Sequence, residues 1–208
     1  IPIHWSKAKE KLNEKKLLAQ GIVPWQINRT YLNLVEAFKT KNNKRIVQLS
    51  ADLGHYVADA HVPLHTTSNY NGQYTNQIGI HALWETRIPE IYMGHYDLFI
   101  GPAQYIKDPV EYAWKIVRES NALVDSVLQI EKNLSNIFKS TEIRSYIERN
   151  NQLIQTYSDK YVEAYDLAMN GMVQRRFKSA IHAVSSFWYS AWIDAGQPKL
   201  HSIQDSNA

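Results

Sequence analysis

Two His-x3-acid pairs, His55/Asp59 and His81/Glu85, stand on either side of Pro63 and constrain this chain more than any other feature. Residues four apart share a face only on a helix, so both pairs call for helical segments. Pro63 must end the first of these near His61 or Val62, which leaves His65 at the start of a loop. Four of the eight histidines, His55, His61, His65 and His81, fall in this one stretch, and His95 lies just beyond it. Neutral imidazole and carboxylate are donors that zinc accepts, and three protein ligands with one open position make a catalytic site. The candidate metal ligands are therefore His55, Asp59, His65, His81 and Glu85, with zinc as the expected cofactor. A single pair of this kind is commonly a surface salt bridge or a helix-stabilising contact. Two pairs with a further histidine between them form a metal-binding pattern.

The neighbouring polar residues read differently. His61 falls two residues after Asp59, on another side of the helix, and is a supporting or packing residue. Asp52 shares the His55/Asp59 face, where it either orients a ligand histidine through its second N–H or is simply solvated. His95, His182 and His201 have no carboxylate at ligand spacing and are read as structural.

Apolar periodicity places the pairs in an all-α helical bundle, a single domain spanning residues 1–208. A short polar helix is expected over 5–19, with Trp5, Ala8 and Leu12 on one side. A second runs from about Gln26 to Lys41 on the stripe Ile27, Tyr31, Leu34, Val35 and Phe38. The third, Lys44 to His61, buries Ile46, Leu49, Leu53 and Val57 and presents His55 and Asp59 beside that stripe, toward a bundle interior. The polar stretch from His65 to Ile80 is read as an ordered loop forming one wall of the site, since both its ends carry proposed ligands. A short helix from His81 stops before Pro89, with Trp84 as its anchor. Residues 91–107 are irregular.

Asp108-Pro109-Val110-Glu111 is a helix start, with an Asp cap, Pro at the first position and Glu at the third. That helix is expected to reach about Asn133. Another long helix is expected over 142–169, with Tyr157, Tyr161 and Tyr165 at i,i+4 as hydrogen-bonded core. Asn170-Gly171 interrupts it, and a last helix runs from Met172 to Ala195 before Gly196 and Pro198. The tail to Ala208 is polar and read as mobile, and no strand is expected.

At the metal-binding residues a family resemblance enters. The run His55-x3-Asp59-x-His61-x-Pro63-Leu64-His65, then Asn71-Gly72, then His81-x2-Trp84-Glu85, resembles bacterial zinc-dependent phospholipase C. It is equally similar to the fungal and plant three-zinc nucleases that share its fold. The likeness extends more weakly to Phe187-Trp188-Tyr189-Ser190-Ala191-Trp192-Ile193-Asp194, which looks like the family's last helix. The resemblance implies that Asp59 bridges two metals and so sits at the catalytic centre. It likewise implies that His55 binds the first metal and that His65, His81 and Glu85 bind a second. Family members begin with a tryptophan whose amino group and carbonyl bind zinc, and carry further His and Asp ligands upstream of the core motif. Here the sequence opens Ile1-Pro2-Ile3, with His4 before Trp5 and no aspartate before Asp52. It therefore looks like the C-terminal part of such a protein, N-terminally incomplete, with its start on Ile read as processing or excision. One tightly held zinc, at His65/His81/Glu85, is the expectation, with little hydrolytic activity in the absence of the upstream segment.

The implied activity is zinc-dependent hydrolysis of a phosphodiester, phospholipid or nucleic acid, by metal-activated water. A net charge of +3 suits a phosphate-bearing substrate without marking a dedicated nucleic-acid binder. The Asn/Gln/Tyr-rich loop favours a polar head or base over deep acyl-chain binding, and no apolar run calls for stable membrane insertion. No cysteine is present, which excludes disulfides and thiolate metal sites. The resemblance implies a secreted or periplasmic protein, although the sequence shows no signal peptide. Two rival readings remain: a non-catalytic zinc-binding domain or pseudo-enzyme, and a helical interaction module whose histidines bind no metal.

Overall fold

The computed structural model describes residues 1–200. His201 and the polar tail to Ala208 lie outside the described residues. In chain order the first helices are α1 (Trp5–Leu12), α2 (Glu14–Gln20), α3 (Val23–Lys39) and α4 (Asn43–Ala60). A 3₁₀ turn at Pro63–Thr66 follows, then α5 (Ile80–Ala82) and α6 (Ile88–Tyr92), joined by a π turn at Leu83–Arg87. The remaining elements are a second 3₁₀ turn at Met93–His95, then α7 (Pro109–Asn121), α8 (Val124–Ser135), α9 (Ser140–Ile143), β1 (Arg144–Arg149), β2 (Gln152–Tyr157), α10 (Asp159–Ala168) and α11 (Met172–Asp194). The protein is mostly helical.

Its described residues divide into two compact units, one made of Ile1–Ala60, Ile100–Arg118 and residues 179–200, the other of His61–Phe99 and Glu119–Lys178. The boundaries fall between α4 and the 3₁₀ turn, between Phe99 and Ile100 ahead of α7, and within α7 and α11.

In the first unit, α3 and α4 form a helical hairpin around Ile27, Tyr31, Leu34, Leu53 and Val57, with Phe187 and Ala191 of α11 in the same core. The apolar stripes read from the sequence are the buried faces, and each fully buried Leu or Phe there contributes about 1.5–3 kcal/mol. Asn42 starts α4, its Oδ1 accepting the Arg45 N–H at 3.1 Å. The expected helix over 5–19 is instead two, because Asn13 adopts φ 64 and its side chain caps α2 at Lys15. That break lets both Ala8 of α1 and Leu17 of α2 bury beside Trp25.

The second unit packs Leu64, Ile80, Leu83, Trp84 and Ile88 against Val127, Tyr161, Val162, Tyr165 and Val173. Three expectations are corrected here or at its margins. The helix opened by Asp108, whose Oδ1 does cap Glu111 at 3.0 Å, ends at Asn121, and α8 begins separately at Val124. The segment expected as one helix over 142–169 is largely a β-hairpin, with Arg144 paired to Tyr157 and Arg149 to Gln152. Its turn residues Asn150 and Asn151 have φ 52 and 59, as a two-residue hairpin turn of the I′ kind requires. Apart from the end of α9, only Asp159–Ala168 of that segment is α-helix. Tyr157 therefore lies on a strand, yet its ring stacks on Tyr161 at 5.6 Å, and the reading of the three tyrosines as core holds.

The third correction concerns Pro89. The helix around His81 runs through it to Tyr92. A proline N has no hydrogen to give the carbonyl four residues back, and its ring crowds that carbonyl. The backbone widens here instead: Ile88 N–H reaches back to the Leu83 carbonyl, and Pro89 becomes an early residue of α6.

Candidate metal centre

Three segments of the second unit deliver the site. Pro63 stops the preceding helix and opens the 3₁₀ turn that carries His65. His81 is the middle residue of α5, and Glu85 the middle residue of the π turn. Buried Leu83 and Trp84, between His81 and Glu85, fix this segment in the core and turn both ligand-type side chains to the same side.

The three functional ends converge. His65 Nε2 lies 3.1 Å from His81 Nε2 and 3.1 Å from Glu85 Oε2, and His81 Nε2 lies 2.8 Å from Glu85 Oε2. Zinc with tetrahedral bonds of about 2.0–2.1 Å holds its ligand atoms roughly 3.3 Å apart. The triangle is only slightly tighter than one face of that tetrahedron. Among the described residues, these three form the one group of such donors whose ligating atoms all lie within 4.8 Å of one another. The side chains are 27 %, 24 % and 35 % exposed, so the centre lies at a rim that water reaches rather than in a closed core.

Electrostatics favours a positive charge at this point. Glu85 Oε2 is buried, has the two ring nitrogens as close neighbours and receives no other hydrogen bond. Where their Nε2 atoms carry protons and donate to it, the imidazoles of His65 and His81 hold the Glu85 carboxyl down to about 2, against burial, which acts the other way. His81 Nδ1 lies 3.1 Å from the Tyr70 carbonyl oxygen. A carbonyl only accepts, so Nδ1 carries the proton, and the Nε2 of a neutral ring then presents a lone pair to the centre. Three electron-rich atoms within hydrogen-bond distance repel one another unless a proton or a cation sits among them. The arrangement can therefore hold a metal ion.

The loop from 66 to 79 is the ordered wall expected. Asn69 Oδ1 accepts the Tyr74 N–H at 2.8 Å, and Asn71 Oδ1 accepts the Gly79 N–H at 3.0 Å. Gly72 has φ +72, and a Cβ there would lie 2.4 Å from the Gln77 carbonyl oxygen, so only glycine fits. Gln77, 6 % exposed, donates from Nε2 to the Leu128 carbonyl at 2.7 Å and to Glu131 Oε2 at 2.6 Å.

The other sequence-derived candidates take different places. His55 and Asp59, on α4 in the first unit, pair with each other at 3.4 Å. The His55 side chain is 69 % exposed and that of Asp59 32 %, so His55 does not project into a bundle interior as its stripe-side position implied. The pair has the form of a surface i,i+4 contact, worth about 0–1 kcal/mol. Asp52 is exposed, and His61 is buried, its carbonyl accepting from the buried Arg176 Nε at 2.9 Å. Sequence reasoning missed Tyr70, whose contribution is a backbone carbonyl, and Gln77 and Glu131. For Glu131 a signal existed, since an acid stands on the apolar stripe of Val124, Val127 and Leu128.

No family model, no curated protein and no solved structure matches this chain.

Proposed function

We infer that the protein is a zinc-dependent phosphodiester hydrolase whose metal centre is His65, His81 and Glu85. The convergence of two imidazole nitrogens and a carboxylate oxygen within 3.1 Å of one another carries this reading. Two histidines and one glutamate are a donor set of catalytic zinc, with a fourth position left for water or substrate. Zinc bound there supplies a Lewis acid for the phosphoryl oxygens and lowers the pKa of a water. The protein's own groups do the rest. The Tyr70 carbonyl keeps the proton on His81 Nδ1, Glu85 brings the negative charge that a dication requires, and the loop presents polar side chains beside the rim. The half-exposed Tyr70, whose ring meets that of His81 edge-on at 6.1 Å, borders the approach to the centre.

The resemblance read in the sequence supports the same conclusion: a helical fold of the zinc phospholipase C and three-zinc nuclease type, acting on a phospholipid or nucleic-acid phosphodiester outside the cytoplasm. Among the described residues no helix is long and apolar enough to cross a membrane. A second reading, a zinc-binding domain without catalysis, draws on the exposure of His55, the residue that the resemblance gives to the first metal.

Hydrolysis of a chromogenic phosphodiester by the full-length protein, with and without zinc, separates the two. Turnover that requires zinc and disappears in His65→Ala supports the hydrolase. Stoichiometric zinc with no turnover above the zinc-only blank supports the non-catalytic domain.

A further inference from the structure

We propose that Gln77 is a positioning residue for the His81 imidazole: anchored on α8, it holds the loop so that the Tyr70 carbonyl keeps the proton on His81 Nδ1. The argument rests on how Gln77 is tied. Its side-chain amide spends both its hydrogens on one helix, on the Leu128 carbonyl and on the carboxylate of Glu131. Glu131 is itself 4 % exposed and is fixed from its other oxygen by the Tyr161 hydroxyl at 2.8 Å. A buried carboxylate with strong donors on both oxygens is a firm anchor, because moving either donor away leaves a charge without a partner.

From that anchor the main chain of Gln77 reaches in both directions. Its N–H donates to the Gly72 carbonyl at 2.9 Å, which closes the half of the loop that begins at Tyr70. Its carbonyl accepts the Ile80 N–H at 3.1 Å, which sets the start of the helix bearing His81 and Glu85. Gly72 packs so closely on Gln77 that no side chain fits between them. Asn71, next to Tyr70, is tied to Gly79 by its own side chain. Gln77 thus fixes both ends of the Tyr70–His81 hydrogen bond against α8. Groups that orient a ligand histidine through its second nitrogen ordinarily contribute 10–100-fold to metal affinity.

This goes beyond the metal reading in its first test and rests on it only in its second. The first follows imidazole ¹⁵N signals of metal-free protein at pH about 8.5, above the ordinary imidazole pKa of about 6.5. The parent chain is expected to show a proton-bearing Nδ1 at His81. Gln77→Asn keeps an amide but is one methylene too short to reach α8, and is expected to leave that nitrogen largely bare. Glu131→Gln keeps an acceptor for the Gln77 amide and a polar partner for Tyr161, and is expected to behave like the parent. The second test measures zinc affinity by chelator competition, with a loss of about tenfold expected in Gln77→Asn and little change in Glu131→Gln. Circular dichroism confirms that each variant is folded, and Asn71→Ala, which loosens the same loop from the Gly79 side, replaces Gln77→Asn should that variant unfold. A folded Gln77→Asn, or a folded Asn71→Ala in its place, whose His81 Nδ1 stays protonated as in the parent overturns the proposal. A parent that binds no zinc while the ¹⁵N signals shift as described overturns the metal reading and leaves the positioning role standing.

Discussion

His81 Nδ1 donates its hydrogen to the backbone carbonyl of Tyr70 at 3.1 Å, across a loop of polar residues that connects the two. That bond decides which nitrogen faces Glu85 and His65, and it makes the loop part of the centre rather than a lid over it. The consequences for the loop, the acid and the core are separately measurable.

Gly72→Ala is expected to disorder the loop. The added Cβ would overlap the Gln77 carbonyl at 2.4 Å, and φ +72 disfavours any L side chain. Destabilisation of about 1–3 kcal/mol is expected in urea unfolding, with a fall in zinc affinity. A variant as stable as the parent, with unchanged affinity, would contradict the loop geometry.

Tyr161→Phe removes one of the two donors from the buried Glu131 carboxylate. Leaving a buried acceptor short of a partner costs about 1–3 kcal/mol. Thermal unfolding of the metal-free chain checks this, and a loss below about half a kcal/mol would mean that water or another donor takes the place of the hydroxyl.

Glu85 gives a pH dependence whose sign is fixed. Its carboxyl titrates at about 2 in the folded protein, held down by His65 and His81, against an ordinary value of about 4.3. A depressed carboxyl contributes stability that is fully present above its unfolded pKa and is lost as pH falls through its folded one. In metal-free protein, the stability gap between the parent and Glu85→Gln should therefore narrow between about pH 4.5 and pH 2. Urea midpoints at three pH values across that window report it, and a constant gap would show that Glu85 is not charge-paired with the histidines.

Much of this was readable from the residues. The stripes of α3 and α4, the Asp108 cap, the stop at Pro63 and the proximity of His65, His81 and Glu85 all follow from local spacing, where side-chain period and turn chemistry agree. What escaped is what tertiary context decides. Tyr157, Tyr161 and Tyr165 at i,i+4 spell a helix, yet Asn150-Asn151 turns the chain and Tyr157 reaches the same core from a strand. Pro89 spells a stop, yet a π turn carries the helix through it and places Glu85 beside both histidines. His55 and Asp59 have the same spacing as His81 and Glu85, and what distinguishes them is the burial of the histidine and the convergence of His65 on the second pair, properties that spacing does not encode. Tyr70 acts through its main chain, which no side-chain pattern announces.

The most direct test of the central claim is zinc stoichiometry after exhaustive dialysis, on the parent chain, His65→Ala and His55→Ala. The account predicts about one zinc per parent chain, near zero in His65→Ala and about one in His55→Ala, as expected for three ligands at one centre. Zinc retained by His65→Ala, or lost from the parent and all variants alike, would contradict it.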